Sequence, residues 1–132
     1  MSDKINKLLS DLKEAVLRLD EAYDRYDKPD LSRLEKDGII QRFEFTFELS
    51  WKLMQVVLTD QHKQTYGIKT IIRESAKLGL VDSSIKWFGF LDARNLTAHT
   101  YKQKTADEVL KKVKKFGIIV KKLIKEVEVL YG

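Results

Sequence analysis

Eight consecutive residues, Arg94-Asn95-Leu96-Thr97-Ala98-His99-Thr100-Tyr101, bring together a permanent cation, an acid/base active near neutral pH and a phenol. Arginine presents a planar fork of donors that matches phosphate oxygens, and a phenol can donate, accept or be modified. Such a set suits work on phosphates: His99 would move a proton and Arg94 would stabilise charge on phosphoryl oxygens. That chemistry needs neither a metal nor an organic cofactor. The chain offers only two histidines, His62 and His99, with no paired-histidine spacing, and it has no cysteine. A Cys-based zinc or redox site and a disulfide framework are therefore excluded. The same spacing also fits a purely structural arrangement, in which Arg94 pairs with Asp92 or another acid, His99 caps a helix and Tyr101 packs in the core.

Geometry decides how the motif must be held. On an uninterrupted helix, Arg94 and His99 would be rotated by about 140° from each other and would not share a face. A helix ending near Thr97 or Ala98 would let the chain turn and bring His99 back beside Arg94, with Tyr101 close by. Asp82-Ser83-Ser84 supplies an N-cap for this helix, which carries Trp87, Phe88, Leu91 and Ala98. Before it, Ile68–Leu78 reads as a short helix closed by Gly79. His62 falls in the polar stretch that precedes that helix and reads as a loop residue.

The remaining elements are also helical. Ile5, Leu8, Leu12, Ala15, Leu19, Ala22 and Tyr26 recur at spacings of three and four, a single apolar stripe that Ser2 or Asp3 can cap. Pro29 breaks this helix, and Ser32-x-x-Glu35 forms a capping box for a second one running from about Leu34 to Asp60. That second helix is apolar on several faces, the pattern of a central helix. Within it Glu44 and Glu48 stand one turn apart, either as a surface pair with Lys52 or Arg42 or as a polar contribution to the site. Thr105-x-x-Glu108 is a further capping box, opening a last helix whose Val109, Val113, Phe116, Val120, Leu123, Val127 and Leu130 form a heptad-like seam. The predicted fold is all-α, an antiparallel bundle of four main helices plus a short helix, in a single domain over residues 1–132.

Composition agrees with a folded, well-charged chain: 43% of residues are hydrophobic and 34% charged, which excludes a disordered class. No apolar run is long enough for a membrane span and the amino end does not read as a signal peptide, so a cytoplasmic protein is expected. The formal charge is +5, and all the excess lies in residues 101–132, where nine lysines face four acids. Such a stripe is either an attractor for nucleic acid or an acidic partner, or a solvated helix face.

Two stretches carry a family resemblance. Gln41-Arg42-Phe43-Glu44-Phe45-Thr46-Phe47-Glu48-Leu49-Ser50-Trp51-Lys52-Leu53 resembles the second helix of nucleotidyltransferase substrate-binding proteins of the HEPN superfamily. Asp92-Ala93-Arg94-Asn95, followed by His99-Thr100-Tyr101, is similar to their second signature, R-x-x-x-x-H-x-Y. The resemblance implies a helical bundle, a homodimer and pairing with a minimal nucleotidyltransferase. It also implies RNA cleavage through Arg94 and His99, with Asn95 as a weaker, supporting addition, and attachment of AMP to Tyr101 by the partner acting as antitoxin to an RNase toxin. Older naming of the same family implies instead a non-catalytic subunit that presents substrate to the transferase. The chain cannot itself be the transferase, since it lacks a Gly-Ser followed by an Asp-x-Asp metal pair.

Overall fold

A computed structural model describes residues 1–132. Six α-helices follow one another: α1 (Asp3–Tyr26), α2 (Arg33–Asp60), α3 (Ile68–Leu78), α4 (Ser84–Leu96), α5 (Gln103–Lys112) and α6 (Phe116–Tyr131). A 3-10 turn, Thr97–His99, joins α4 to α5. The all-α bundle expected from the sequence is what the chain forms.

The first two helices make an antiparallel pair, each capped by a serine at its start. Ser2 accepts a hydrogen bond from the Ile5 amide at 3.2 Å, and Ile5, Leu9, Leu12, Val16 and Leu19 form the buried stripe of α1. Ser32 and Glu35 close the reciprocal capping box, at 3.0 and 3.1 Å. Arg25 at the end of α1 also donates to Glu35 at 2.6 Å, and with the Ser32 amide it holds the Glu35 carboxyl down at about 2. Helix α2 then runs through the middle and touches every other α-helix. Its buried Thr46 and Ser50 hydroxyls donate back to the carbonyls of Arg42 and Thr46, so neither is left unpaired in the core.

The last helix departs from its expected form. It is not one helix opened by Thr105 and Glu108: α5 starts at Gln103 without a side-chain cap, and the chain breaks across residues 113–115 before α6 begins. The break drops Phe116 into an aromatic cluster, with ring centroids 5.0 Å from Phe43, 5.6 Å from Trp87 and 4.8 Å from Phe90. A continuous helix would carry the same side chains past that cluster in a fixed register. Burying a large ring against these three and against Phe47, whose centroid is 6.3 Å away, outweighs the loss of a turn's worth of helical bonds. The heptad-like seam is filled by the chain's own core, since every member but Leu130 is buried.

Two tyrosines of α1 close the break. Tyr23 donates to the Val113 carbonyl at 2.7 Å and accepts from the Gly117 amide at 3.3 Å, while Tyr26 donates to the Leu110 carbonyl. Burial pushes both phenols up to about 12, so they stay protonated donors across the ordinary pH range. Residue 117 must be glycine for this contact, because a Cβ there would sit 2.8 Å from the Tyr23 ring. Tyr23→Phe leaves the Val113 carbonyl and the Gly117 amide without their partner and should lower stability in urea unfolding by roughly 1–3 kcal/mol. An unchanged midpoint would show that water replaces the hydroxyl at no cost.

Candidate active site

Helix α4 sets the direction of Arg94. Ser83 caps its start, accepting from the Lys86 amide at 3.2 Å, and Trp87, Phe90 and Leu91 are buried along one stripe. Arg94 follows Trp87 by two helical turns and so continues the stripe that faces the bundle. At that depth the guanidinium meets an acid from the central helix: its Nε donates to Glu48 Oε1 at 2.7 Å. The second carboxylate oxygen of Glu48 accepts from the Trp51 indole at 2.8 Å, and Arg94 Nη1 donates to Asn95 Oδ1 at 3.3 Å. Arg94 and Glu48 are 33% and 32% exposed, which makes this a half-buried pair, with both carboxylate oxygens of Glu48 hydrogen-bonded, rather than a loose surface contact. One edge of the guanidinium is thereby fixed, and Nη2 has no partner within the chain.

Of the two arrangements open to Glu48, this pairing replaces the surface contact with Lys52 or Arg42 and puts the carboxylate beside the motif arginine. Arg42 turns instead to the Arg18 carbonyl at 2.6 Å and to Glu21 at 3.3 Å. The sequence did contain the signal, since an acid within a helix buried on most sides needs a cation from another element. Glu44, one turn earlier, lies in the same polar cluster with Thr97 and Arg94. Desolvation, and then repulsion from Glu48, raise its carboxyl above the usual carboxylate range, while Thr97 and Arg94 oppose the shift.

Two threonine hydroxyls end α4. Thr97 donates to the Arg94 carbonyl at 2.6 Å and Thr100 to the Thr97 carbonyl at 3.0 Å, so carbonyls freed at the helix end are satisfied locally. The 3-10 turn that follows puts His99 and Tyr101 on the outside. Their rings meet edge to face with centroids 6.2 Å apart, and Lys102 Nζ lies 5.8 Å from the Tyr101 ring centre. Tyr101 is 73% exposed, which rules out its packing in the core. The structure thus joins His99 to Tyr101, and Arg94 to Glu48 and Asn95. No hydrogen bond, ion pair or ring contact links Arg94 to His99 within one chain. None of the main clefts of the monomer is lined by Arg94, His99 or Tyr101. His62 is an exposed loop residue with a positive φ of 62°.

The bundle and its arginine-to-tyrosine turn define a small helical protein of the HEPN type. The family model described as nucleotidyltransferase substrate binding protein like matches residues 7–129, and the chain belongs to that family. A Haemophilus influenzae protein named probable ribonuclease HepT is 41% identical over 86 residues, 61% of this chain. The chain spans 59% of that relative's length. A crystal structure from Thermus thermophilus superposes with a TM-score of 0.71 at 28% identity, over 92% of this chain and 97% of that one. A second structure, from Haemophilus influenzae, is described as revealing the fold of a substrate-binding domain of a nucleotidyltransferase. It superposes at 0.68 with 28% identity, over 96% and 98% of the two chains.

The raised carboxyl of Glu44 has a defined consequence for stability. Because the folded value lies above the ordinary 4.5, ionising Glu44 opposes folding; the penalty is absent below about pH 4.5 and develops as pH rises through the folded value. Glu44→Gln should therefore raise the melting temperature at pH 7 and leave it unchanged near pH 4. A lower melting temperature at pH 7 would mean that attraction to Arg94 outweighs desolvation.

Proposed function

We propose that this protein is a metal-independent ribonuclease that acts as a homodimer and is controlled by a minimal nucleotidyltransferase. One observation carries the reading: Arg94 is anchored through Nε by Glu48, while His99 and Tyr101 stand exposed on the turn that follows. An anchored guanidinium with a free nitrogen is a preorganised site for a phosphoryl oxygen. His99 takes the proton of the ribose 2′-hydroxyl as that oxygen bonds to phosphorus, or gives one to the 5′-oxygen as its bond to phosphorus breaks. Asn95 supports the arginine through Nη1.

The homodimer reading rests on the openness of the site. An RNA strand held against a convex turn would stay hydrated, whereas two such turns facing each other make a cleft. Since the apolar seam of α5 and α6 is filled internally, contact between copies has to come from elsewhere, and the 81% exposed Ile85 on α4 is available. RNA as substrate and a transferase as partner are supported by the names of the Haemophilus relative and structural neighbour, and both belong in the cytoplasm. No helix is long and apolar enough to cross a membrane.

Tyr101 is the point of control. Its hydroxyl is reachable, its ring touches His99, and adenylylation would place a phosphate anion and a bulky base on the His99 turn. The new anion competes with substrate and the base fills its path, which makes the pair a toxin and antitoxin. A second reading, a non-catalytic subunit that presents substrate to the transferase, is favoured by the description of the family and by the second Haemophilus structure.

A single set of variants separates these readings. Arg94→Ala and His99→Ala should stay helical and each lose about 10²–10⁴ of the cleavage rate, with activity in the parent protein persisting in chelator. Tyr101→Phe should keep cleavage yet escape inhibition by the partner with ATP and Mg²⁺, and mass spectrometry should place AMP on Tyr101 of the parent. Folded Arg94→Ala and His99→Ala variants with full activity would eliminate the site. An inactive parent protein that still binds the transferase would establish the presenting subunit.

A further inference from the structure

The excess positive charge of the carboxyl-terminal third does not spread evenly over the surface. Lys114, Lys121 and Lys122 are answered by Asp27, Asp20 and Asp82. Lys111, Lys112 and Lys115 have no carboxylate partner, and neither has Lys86 on α4. These four ammonium groups, together with the Asp27-paired Lys114, line one cleft of about 400 Å³ where α4 meets the break between α5 and α6, over a floor that includes Phe90 and Ile119. No acidic side chain lines that cleft. Four like charges gathered around one hollow repel one another, and a bound polyanion relieves that repulsion.

The break in the last helix is what gathers them. It turns the end of α5 and the start of α6 toward α4, so that Lys111, Lys112 and Lys115 stand opposite Lys86. Lys86 precedes Arg94 by eight residues on the same helix, about 12 Å along its axis. The cleft therefore opens on the helix that carries Arg94.

We infer that this cleft is a track for the phosphate backbone of single-stranded RNA, feeding the turn that carries Arg94 and His99. The inference rests on the ribonuclease reading for the identity of the ligand. Its chemistry is that of charge without base recognition: the cleft holds lysines but no arginine, and its aromatic residue, Phe90, is only 5% exposed and cannot stack on a base. Binding along it is independent of base sequence and strongly dependent on salt. An acidic protein surface is the competing occupant, and it is distinguished below.

The test uses a short fluorescent single-stranded RNA and the full chain carrying His99→Ala, so that cleavage does not interfere. Anisotropy titrations across a range of salt concentrations compare this protein with one in which Lys86, Lys111, Lys112 and Lys115 are also glutamine. A matched control replaces four exposed lysines elsewhere, Lys4, Lys28, Lys63 and Lys69. Loss of the cleft lysines should weaken binding and reduce the slope of log affinity against log salt by about 3, at roughly 0.7 per phosphate released. The control should keep a slope close to that of the parent, and circular dichroism should show all three proteins equally helical.

An unchanged affinity and slope in the cleft variant, or an equal fall in the control, would overturn the inference, as would a parent that does not bind RNA. So would a cleft variant that keeps RNA but no longer captures the nucleotidyltransferase, because the cleft would then be a protein interface. The ribonuclease reading fails separately. A chain with intact His99 that binds RNA through these lysines without cutting it would leave the track standing and remove the activity.

Discussion

A carboxylate on the most buried helix of a bundle has to be answered by a cation, and this requirement organises the whole site. Glu48 sits on α2 among residues that pack against five other helices, and its two oxygens are taken by the Arg94 guanidinium and the Trp51 indole. Removing either partner would leave a charge partly desolvated and unpaired, which costs far more than the pair contributes as a bond. Arg94 is thus held by the central helix rather than by a loose surface contact. Its remaining nitrogens inherit that rigidity, and a fixed donor is worth more to a developing negative charge than a mobile one.

The rest of the fold maintains this geometry. Helix α4 delivers Arg94 at the depth of Glu48 only because Trp87 and Phe90 are seated two turns and one turn earlier, and both rings are packed against Phe116. Phe116 reaches them because the last helix breaks, and the break is closed by Tyr23 and Tyr26 reaching across from α1. The packing of the core and the placement of Arg94 are connected here through a short series of contacts. His99 and Tyr101 lie on the far side of two threonine caps, exposed and free of the core.

Much of this was legible in the sequence, and the parts that were not share a cause. Helix starts at Ser2, Ser32 and Ser83 and the stop at Gly79 were readable, because capping is local chemistry between residues three or four apart. The heptad-like seam was visible and, apart from Leu130, is buried, but its regular spacing concealed the break at residues 113–115. Between Val109 and Val120 there is no proline, and the one glycine, Gly117, follows the break rather than falling within it; the interruption is imposed by the ring of Phe116 finding four others. The Arg94–Glu48 pair was hidden for the same reason: it joins residues 46 apart in sequence, and spacing within α2 pointed to Arg42 and Lys52 instead. Local rules gave the elements, while contacts between elements decided which polar groups meet. Arg94, His99 and Tyr101 were visible as a motif, yet the motif could not say that the arginine turns inward while the other two stay out.

The central claim is that Glu48 acts only through Arg94, as a positioning residue for a phosphate-binding guanidinium. A double-mutant cycle on RNA cleavage tests it directly, with kcat/KM measured for Glu48→Gln, Arg94→Ala and both together. Misplacing the guanidinium should make Glu48→Gln slower by about 10–10²-fold. Once Arg94 is gone, Glu48 has nothing left to position, so the double variant should be no slower than Arg94→Ala alone. Losses that multiply, so that the double variant falls by the product of the two single effects, would show that Glu48 and Arg94 act independently and would contradict the account.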